Sequence, residues 1–356
     1  MSNVERRSEQ AGMFHFIREM TSALIMALIA IVYVIQAFKI PTGSMENSLL
    51  VGDFLLGLKF IYGAPLVPFS QELGITQRLP AVTNPKAGDV IIFKYPGSDK
   101  KDYIKRCVAG PGSTLEIDGK RLIVDGKELT LPPRGKYINE GELDPRITNF
   151  KPLRVPAKGD LIKTADLDLR DFLFFKHLVK QENPTKKITA QYQLYLNGVF
   201  SNNKEFSFYG ANITMNDLHE DRLGGTNPRT GKKEYLNLNR FDNWTELEYY
   251  LNNIKTIFPD ENPEFRYMLF VDGKPVPEYK VKFDNYFMMG DNRDNSLDSR
   301  YWGYLNRNFV KAKAFILYFS LDSETPYWQL PLKIRWNRIG KLIRSWDGIH
   351  STPGMK

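Results

Sequence analysis

Three short blocks of the chain carry residue types that can perform nucleophilic or acid–base chemistry. The first, residues 40–49, reads Ile-Pro-Thr-Gly-Ser-Met-Glu-Asn-Ser-Leu and is centred on Ser44. A serine hydroxyl is a poor nucleophile unless a base lies within hydrogen-bond reach. A serine among small residues is most often a simple turn residue, so this block alone assigns no chemistry.

The second block, residues 102–112, places Lys105 in Asp-Tyr-Ile-Lys-Arg-Cys-Val-Ala-Gly-Pro-Gly. A lysine accepts a proton only when it is neutral, and its ordinary pKa of about 10.4 leaves on the order of 0.1% neutral amine at pH 7.5. Burial lowers the pKa because it penalises the ammonium form. A lysine with apolar neighbours is also commonly a surface residue that extends its charge into water, so both interpretations of this block stay open.

The third block, residues 289–303, reads Met-Gly-Asp-Asn-Arg-Asp-Asn-Ser-Leu-Asp-Ser-Arg-Tyr-Trp-Gly. Its density of Asp, Asn, Ser and Gly is typical of a calcium-binding loop. An EF-hand loop, however, needs glycine at its sixth position and glutamate at its twelfth. Counted from Asp291, those positions hold Ser296 and Trp302, so the block does not fit an EF-hand.

An uncharged run near the N-terminus precedes these three blocks and has the length of a membrane-spanning helix. It extends from Met20 to Phe38, 19 residues, between Glu19 and Lys39. At about 1.5 Å per residue, a helix of this length spans the roughly 30 Å hydrocarbon core. A cleaved signal peptide has a shorter apolar core, and a soluble helix usually has a polar face. The run therefore predicts an uncleaved transmembrane anchor over residues 20–38.

The charges around this run predict its orientation. Arg6, Arg7 and Arg18 precede the run, whereas only Lys39 follows it closely. The positive-inside rule places such an N-terminal segment, residues 1–19, in the cytoplasm and the bulk of the chain on the outer face.

The segments 39–131 and 269–325 are predicted to form a β core in two parts. Asp89–Phe93 is a short apolar run after a glycine turn, and Ala314–Phe319 has the length of a strand. Residues 115–127 alternate around two Asp-Gly pairs, which is typical of β-hairpins.

Residues 132–268 differ in pattern and are predicted to be an inserted α+β subdomain. Helices are expected at Asp166–Glu182 and at Thr245–Phe258, where Thr245 and Glu248 fit a capping box. The segment either shields the core or docks a partner. Residues 326–356 form a basic C-terminal segment, in which Leu332–Trp346 is a candidate amphipathic helix that either packs on the core or lies on the membrane surface.

Composition excludes several classes of protein. The 356 residues include 49 Lys plus Arg and 41 Asp plus Glu, with 42% hydrophobic and 25% charged residues, which are globular values. The single cysteine, Cys107, excludes an internal disulfide and a cysteine zinc site. Four histidines leave little material for a histidine-metal cluster. Both signs of charge are mixed, which does not indicate a nucleic-acid partner.

In this order after an anchor, the three blocks resemble those of the bacterial type I signal peptidases, also called leader peptidases. A further matching block is Gly-Asp-Val-Ile-Ile-Phe-Lys-Tyr-Pro at residues 88–96. The resemblance covers the anchor and residues 38–127 and 270–320, but not residues 132–268. It implies a mainly β fold, with a signal-peptidase-like β catalytic core, one N-terminal transmembrane helix and an inserted subdomain.

The resemblance also implies roles for particular residues. It assigns Ser44 as the nucleophile and Lys105 as the general base of a Ser/Lys dyad, with an acyl-enzyme that water later hydrolyses. No histidine is well placed for this task, because His15 precedes the anchor and His177 and His219 lie in the insert.

The family pattern further implies the groups that support the dyad. The oxyanion would be held by the backbone N–H of Ser44 and the hydroxyl of Thr42. Ser296 would orient the lysine amine, and Asp298 and Arg300 would form a structural ion pair.

Two shallow apolar pockets would select small side chains at the first and third positions before the cut, since such pockets exclude large ones. By motif alignment, the pocket residues are Ile40, Met45, Leu49, Tyr103 and Ile104 for the first position, and Phe38, Ile92 and Ile104 for the third. The alternative is that these are ordinary core residues. Asn47 replaces a proline that the family usually has, which could loosen the turn after Ser44.

The function expected from the resemblance is membrane-bound removal of signal peptides from exported preproteins at small-x-small sites. The partners would be those preproteins, the phospholipid bilayer and the export translocon, and the location would be the bacterial cytoplasmic (inner) membrane. One alternative is an anchored Ser/Lys autoprotease of the SOS-repressor type, and another is a catalytically silent anchored binding protein. A penicillin-binding enzyme is disfavoured because Asn47, not lysine, stands three residues after Ser44.

Overall fold

The computed structural model describes residues 3–46, 48–67, 77–97, 101–133, 135–137, 145–208, 211–219, 222–226, 233–237 and 244–346. Asn47, singled out above for the proline it replaces, lies outside the described residues, as do residues 347–356 of the C-terminal segment.

The described residues form mainly β structure with a few helices. The helices are α1 (Asn3–Ile29), α2 (Pro145–Thr148), α3 (Leu169–Glu182), α4 (Trp244–Ile257), α5 (Ser299–Trp302) and α6 (Leu330–Lys333). The strands are β1 (Ile35–Lys39), β2 (Asp53–Leu58), β3 (Val90–Lys94), β4 (Asp102–Ala109), β5 (Thr114–Asp118), β6 (Arg121–Val124), β7 (Lys127–Leu129), β8 (Asn149–Arg154), β9 (Leu161–Lys163), β10 (Ile188–Leu196), β11 (Val199–Phe200), β12 (Phe206–Phe208), β13 (Ala211–Ile213), β14 (Leu218–His219), β15 (Arg222–Thr226), β16 (Lys233–Asn237), β17 (Pro263–Val271), β18 (Lys274–Pro275), β19 (Glu278–Lys280), β20 (Asn285–Met289), β21 (Leu305–Asn306) and β22 (Val310–Ser320).

The N-terminal helix is long and apolar enough to cross a membrane between Met13 and Val34. The predicted end of the anchor at Phe38 is wrong, because Ile35–Lys39 form β1 and pair with β2. An uncharged run does not show where a helix passes into a strand, since apolar residues suit both. Lys59 fixes the transition by donating hydrogen bonds to the carbonyls of Ile31 and Val32 at 3.1 and 3.0 Å.

A seven-stranded sheet carries the central part of the fold. Its strand order is β1–β2–β22–β3–β4–β20–β21, so strands from both ends of the chain lie side by side. All of the pairings are antiparallel. The mainly β fold expected from the sequence is confirmed. The order also shows why the β core has two parts, since β20, β21 and β22 come after the insert in the chain.

The two Asp-Gly pairs at residues 118–119 and 125–126 lie at turns between strands, as the sequence predicted. Asp125 and Gly126 have φ angles of 50° and 75° and join β6 to β7. Asp272 and Gly273 repeat this geometry, at 51° and 77°, between β17 and β18. Two successive positive φ angles match the right-handed twist of the strands that they connect, and Asp-Gly adopts them at little cost.

Both helices predicted in the insert are present. Helix α3 begins at Leu169, where the Asp168 carboxylate accepts a hydrogen bond from the Asp171 N–H. Helix α4 begins at Trp244, so Thr245 lies in its first turn and not at the cap. The Trp244 indole N–H donates to the Arg300 carbonyl at 2.9 Å, which draws this residue into the helix start.

The C-terminal segment does not form the predicted amphipathic helix over Leu332–Trp346. Beyond the short α6, it runs along the part of β22 that β3 leaves unpaired, and Ile343 N–H donates to the Phe315 carbonyl at 2.7 Å. Unpaired backbone at a sheet edge needs such partners, and periodicity alone does not reveal them. Arg338, a basic residue of this segment, is buried, and its Nε donates to the Asp53 carboxylate at 2.9 Å.

Gly303, at the end of α5, lies in close contact with helix α3 of the insert. Its φ and ψ of 80° and −132° suit glycine alone among ordinary residues. A Cβ at this position would lie 2.7 Å from the Phe174 ring of α3. The absence of a side chain at Gly303 therefore lets α3 pack against the segment that follows α5.

Gly303→Ala is expected to lower the free energy of unfolding by about 3 kcal/mol, because backbone strain of 1–3 kcal/mol adds to overpacking. Gly119→Ala is the control, since Gly119 also has a positive φ, of 61°, but a Cβ there meets nothing within 4 Å. Denaturant unfolding of the full chain in detergent micelles measures both. Equal losses in the two variants would contradict the proposed clash.

Candidate active site

Ser44 lies in a single 3₁₀ turn, Gly43–Met45, between β1 and β2. The ends of the connecting loop are tied together, because Ile40 N–H donates to the Asp53 carbonyl at 2.8 Å. Met45 is 1% exposed and packs in the core, and its carbonyl accepts from Leu49 N–H at 2.7 Å. These contacts hold the turn in place. Ser44, the residue before Met45, is half-buried.

Lys105 lies in the middle of β4, which pairs with β3 on one side and β20 on the other. It stands opposite Ile91 in the register of β3. The next residue, Arg106, stands opposite Met289 of β20, so the backbone around Lys105 is held from both sides. The residue is only 3% exposed, which settles the choice left open above: it is not a surface lysine.

The structure brings Ser44 and Lys105 together although 61 residues separate them. Lys105 Nζ donates to Ser44 Oγ at 2.6 Å. Burial lowers the pKa of Lys105 to about 8, against the opposing effect of the Asp298 and Asp291 carboxylates, which raise it. With that pKa, about a quarter of the side chain is neutral at pH 7.5, and a neutral amine at this distance can accept the serine proton.

Asp298 and Arg300 form the ion pair that the resemblance implied. Arg300 Nε and Nη2 each lie 2.9 Å from a carboxylate oxygen of Asp298, and both residues are buried. Asp298 also accepts from Gly290 N–H at 3.1 Å. A bidentate, buried pair of this kind fixes geometry, and here it joins the start of α5 to the end of β20.

Ser296 is buried close to the dyad, but its expected role is not visible as a contact. Its hydroxyl faces the Asp298 carboxylate without the geometry of a hydrogen bond, and no partner for Ser296 Oγ is found in the described part of the chain. A Cβ placed on Gly290 would come within 2.3 Å of Ser296 Oγ and 2.5 Å of the Ser44 carbonyl oxygen. Ser296 thus lies beside Ser44, and its orientation of the lysine stays a prediction.

Gly290, Arg106 and Asp291 are site residues that the sequence reasoning did not single out. Gly290 is required because any Cβ would push Ser44 and Ser296 apart. Arg106 Nε and Nη2 donate to Asp291 Oδ1 and Oδ2 at 2.8 and 2.7 Å, in a buried pair next to Lys105. Their positions in the sequence could have indicated them, since Arg106 directly follows Lys105 and Gly290 and Asp291 lie in the third block.

Thr42, the expected oxyanion donor, lies just before the 3₁₀ turn in an extended conformation. Its side chain does not cap the turn, and the residue is exposed. The side chain of Thr42 is therefore accessible to solvent. Its contact with an oxyanion remains a prediction.

The predicted pocket residues divide between two clusters. Tyr103 packs with the cluster that contains Phe93 and Cys107, and the Lys105 amine lies 5.5 Å from the centre of its ring. The other predicted residues pack together in one core cluster, and among them only Ile104 is partly exposed. That cluster holds Phe38, Ile40, Met45, Leu49, Ile92 and Ile104. The burial fits the core interpretation of most of these residues, and their role as pocket walls stays a prediction.

The described residues contain no group of three or more His, Cys, Asp or Glu side chains arranged to hold a metal ion.

Comparison with known proteins gives one family match over most of the chain. The model of the family described as "Signal peptidase, peptidase S26" matches residues 13–166 and 184–319. The match extends into the insert, so the expectation that the resemblance would leave out residues 132–268 is wrong. Only residues 167–183, essentially helix α3, fall between the two matched parts.

Curated relatives agree with the family match. The chain is 28% identical over 321 residues to signal peptidase I of Buchnera aphidicola subsp. Baizongia pistaciae, covering 90% of this chain and 80% of the relative. It is 27% identical over 314 residues to signal peptidase I of Aquifex aeolicus, covering 84% and 82%. Signal peptidase I of Helicobacter pylori strain J99 is 24% identical over 352 residues, covering 95% and 96%.

The depressed pKa of Lys105 can be measured directly. In full chain labelled with ¹³C at the lysine ε carbon, the signal that disappears in Lys105→Met should titrate with a midpoint of about 8. Below that pH the ammonium form dominates, and above it the amine is free to act as a base. A midpoint above 10 would show a solvated lysine and contradict the desolvated site.

Proposed function

The chain belongs to the signal peptidase family, peptidase S26, and from this premise we propose that it cleaves N-terminal signal peptides from exported preproteins by a Ser44–Lys105 dyad. The observation that carries the proposal is the 2.6 Å contact between Lys105 Nζ and Ser44 Oγ. The amine is buried, and its pKa is lowered to about 8, as a neutral base requires.

The first half of the reaction forms an ester with the enzyme. The Ser44 hydroxyl gives its proton to the neutral Lys105 amine while Oγ attacks the carbonyl carbon before the cut. The tetrahedral intermediate collapses, and the Lys105 ammonium returns the proton to the leaving nitrogen. That nitrogen becomes the N-terminus of the mature protein, and the signal peptide remains bound to Ser44 as an acyl-enzyme.

The second half releases the signal peptide. Lys105, neutral again, takes a proton from a water molecule that attacks the ester carbonyl, and the proton then passes to the departing Ser44 oxygen. The same amine thus serves both halves, which a buried side chain on a central strand can do without moving. No metal or cofactor enters these steps.

The oxyanion of both tetrahedral intermediates would be stabilised by the Ser44 N–H and the Thr42 hydroxyl. These groups lie on one turn, and the extended conformation of Thr42 leaves its side chain free of the turn's own hydrogen bonds. Donors fixed before the charge develops stabilise the transition state more than mobile water does.

The proposed substrates carry small side chains at the first and third positions before the cut. Tyr103 and Ile104, which are half-buried beside the dyad, are the predicted pocket residues best exposed to a substrate. Apolar walls of this size favour alanine by excluding larger side chains.

We further propose that the apolar helix anchors the protein in the bacterial cytoplasmic membrane, with the catalytic domain on the outer face. The candidate span ends at Val34, ten residues before Ser44, so the nucleophile lies close to the bilayer. Exposed Trp328 and Trp336 on the C-terminal segment suit the lipid–water interface. A preprotein delivered by the export translocon would then meet the site at the membrane surface.

Ser44→Ala is expected to abolish cleavage of a preprotein that carries Ala-x-Ala before its mature sequence, because the variant has no nucleophile. Full chain in detergent micelles is incubated with the preprotein, and the new N-terminus is identified by mass. Ser48→Ala is the matched control in the same loop and should process normally. Retained turnover in Ser44→Ala would refute the dyad.

Thr42→Val should lower kcat by 10²–10³-fold, the usual cost of removing one oxyanion donor, with little change in KM. Thr42→Ser keeps the hydroxyl and should stay within a few-fold of the wild type. Steady-state cleavage of the same preprotein measures both variants. If Thr42→Val and Thr42→Ser were equally active, the Thr42 hydroxyl would have no such role.

A further inference from the structure

We infer that Lys136, a residue of the insert, is a positioning residue that holds the Ser44 turn in place through Glu46; this inference rests on the function proposed above. Lys136 Nζ donates to Glu46 Oε2 at 3.0 Å, and Glu46 is two residues after the nucleophile. The side chains are 28% and 41% exposed, so the ion pair lies at the rim of the site.

The backbone of Lys136 is itself fixed to the third sequence block. Its N–H donates to the Asp291 carbonyl and its carbonyl accepts from Arg293 N–H, both at 3.0 Å, in a parallel bridge across Asn292. Asp291 is in turn held by its buried pair with Arg106, the neighbour of Lys105 in β4. The side chain of Lys136 therefore extends toward Glu46 from a backbone that is fixed on both sides.

Asn292 connects the same two segments from the other side. Its backbone N–H donates to the Ser44 carbonyl at 3.1 Å, and its side-chain Nδ2 donates to the Gly43 carbonyl at 3.0 Å. The same amide lies 3.4 Å from Glu46 Oε2. The contacts close into a ring that runs from the Ser44 turn through Asn292 and Lys136 to Glu46 and back to the turn.

A closed ring constrains the turn more than its separate contacts would. Each surface ion pair contributes little to stability, because water competes for the charges. Reaction rate is more sensitive, because a displacement of about 1 Å between reacting groups can cost 10²-fold. The expected consequence is a change in kcat, with little change in substrate binding or in overall stability.

The test compares variants of the full chain in detergent micelles with the Ala-x-Ala preprotein. Lys136→Met should lower kcat about tenfold and leave KM within about twofold, because it removes the charge and keeps the side-chain length. Lys136→Arg keeps the charge and should stay within about threefold of the wild type. Lys204→Met is the control, since it breaks the Lys204–Glu261 ion pair, which joins two other insert residues.

A double-mutant cycle shows whether Lys136 acts through Glu46. If it does, Lys136→Met/Glu46→Ala should lose no more activity than the worse single variant. Losses that multiply, an unchanged kcat in Lys136→Met, or no recovery in Lys136→Arg would each overturn the inference.

Hydrogen exchange separates this inference from the proposed function, because it needs no turnover. Peptides that cover residues 43–49 and 290–293 should exchange at least fivefold faster in Lys136→Met than in the wild type or in Lys204→Met. Unchanged exchange would overturn the positioning role even if the wild type processes the preprotein. If Lys136→Met exchanged faster but the wild-type protein did not cleave the preprotein, the positioning role would stand and only the proposed function would be refuted.

Discussion

Desolvation of the amine at position 105 is the constraint on which the site depends. Two buried carboxylates, Asp291 and Asp298, raise the pKa of Lys105 and thus oppose a neutral base. Each carboxylate accepts hydrogen bonds from two nitrogens of one guanidinium group, Asp291 from Arg106 and Asp298 from Arg300. Burial is the larger effect, and the Arg300 guanidinium also lowers the pKa of Lys105 and so offsets part of the effect of its partner Asp298. Both ion pairs therefore fix the third block beside Lys105, and the Asp298–Arg300 pair also limits the rise in the pKa of the amine.

Local chemistry explains which parts of the fold could be predicted from the sequence. The Asp-Gly turns and the helices α3 and α4 depend on neighbouring residues, and the sequence located them to within a few positions. The end of the anchor and the form of the C-terminal segment depend on distant partners. Phe38 enters the core opposite Leu55, and the C-terminal segment pairs with β22, so neither outcome follows from hydrophobic periodicity.

The site divides in the same way. Ser44, Lys105, Asp298 and Arg300 were assigned by a resemblance, and the structure brings both pairs within hydrogen-bond distance. Lys136 could not have been found from sequence, because it lies in a segment without a chemical motif and meets Glu46 only through the fold. Gly290 can be seen in the third block. The reason that no side chain fits there is the closeness of Ser296 and the Ser44 carbonyl, which only the fold shows.

The insert supports the catalytic loops from more than one direction. At its start, Lys136 pairs with the backbone of the third block. Further along, the Gln181 side chain donates to the Tyr304 carbonyl and accepts from Asn306 N–H, at 2.8 and 3.0 Å. Gln181 lies on α3, the one element that the family model leaves between its matched parts. Because α3 packs against Gly303 and hydrogen-bonds the residues after it, the insert is part of the framework around the Asp298–Arg300 pair.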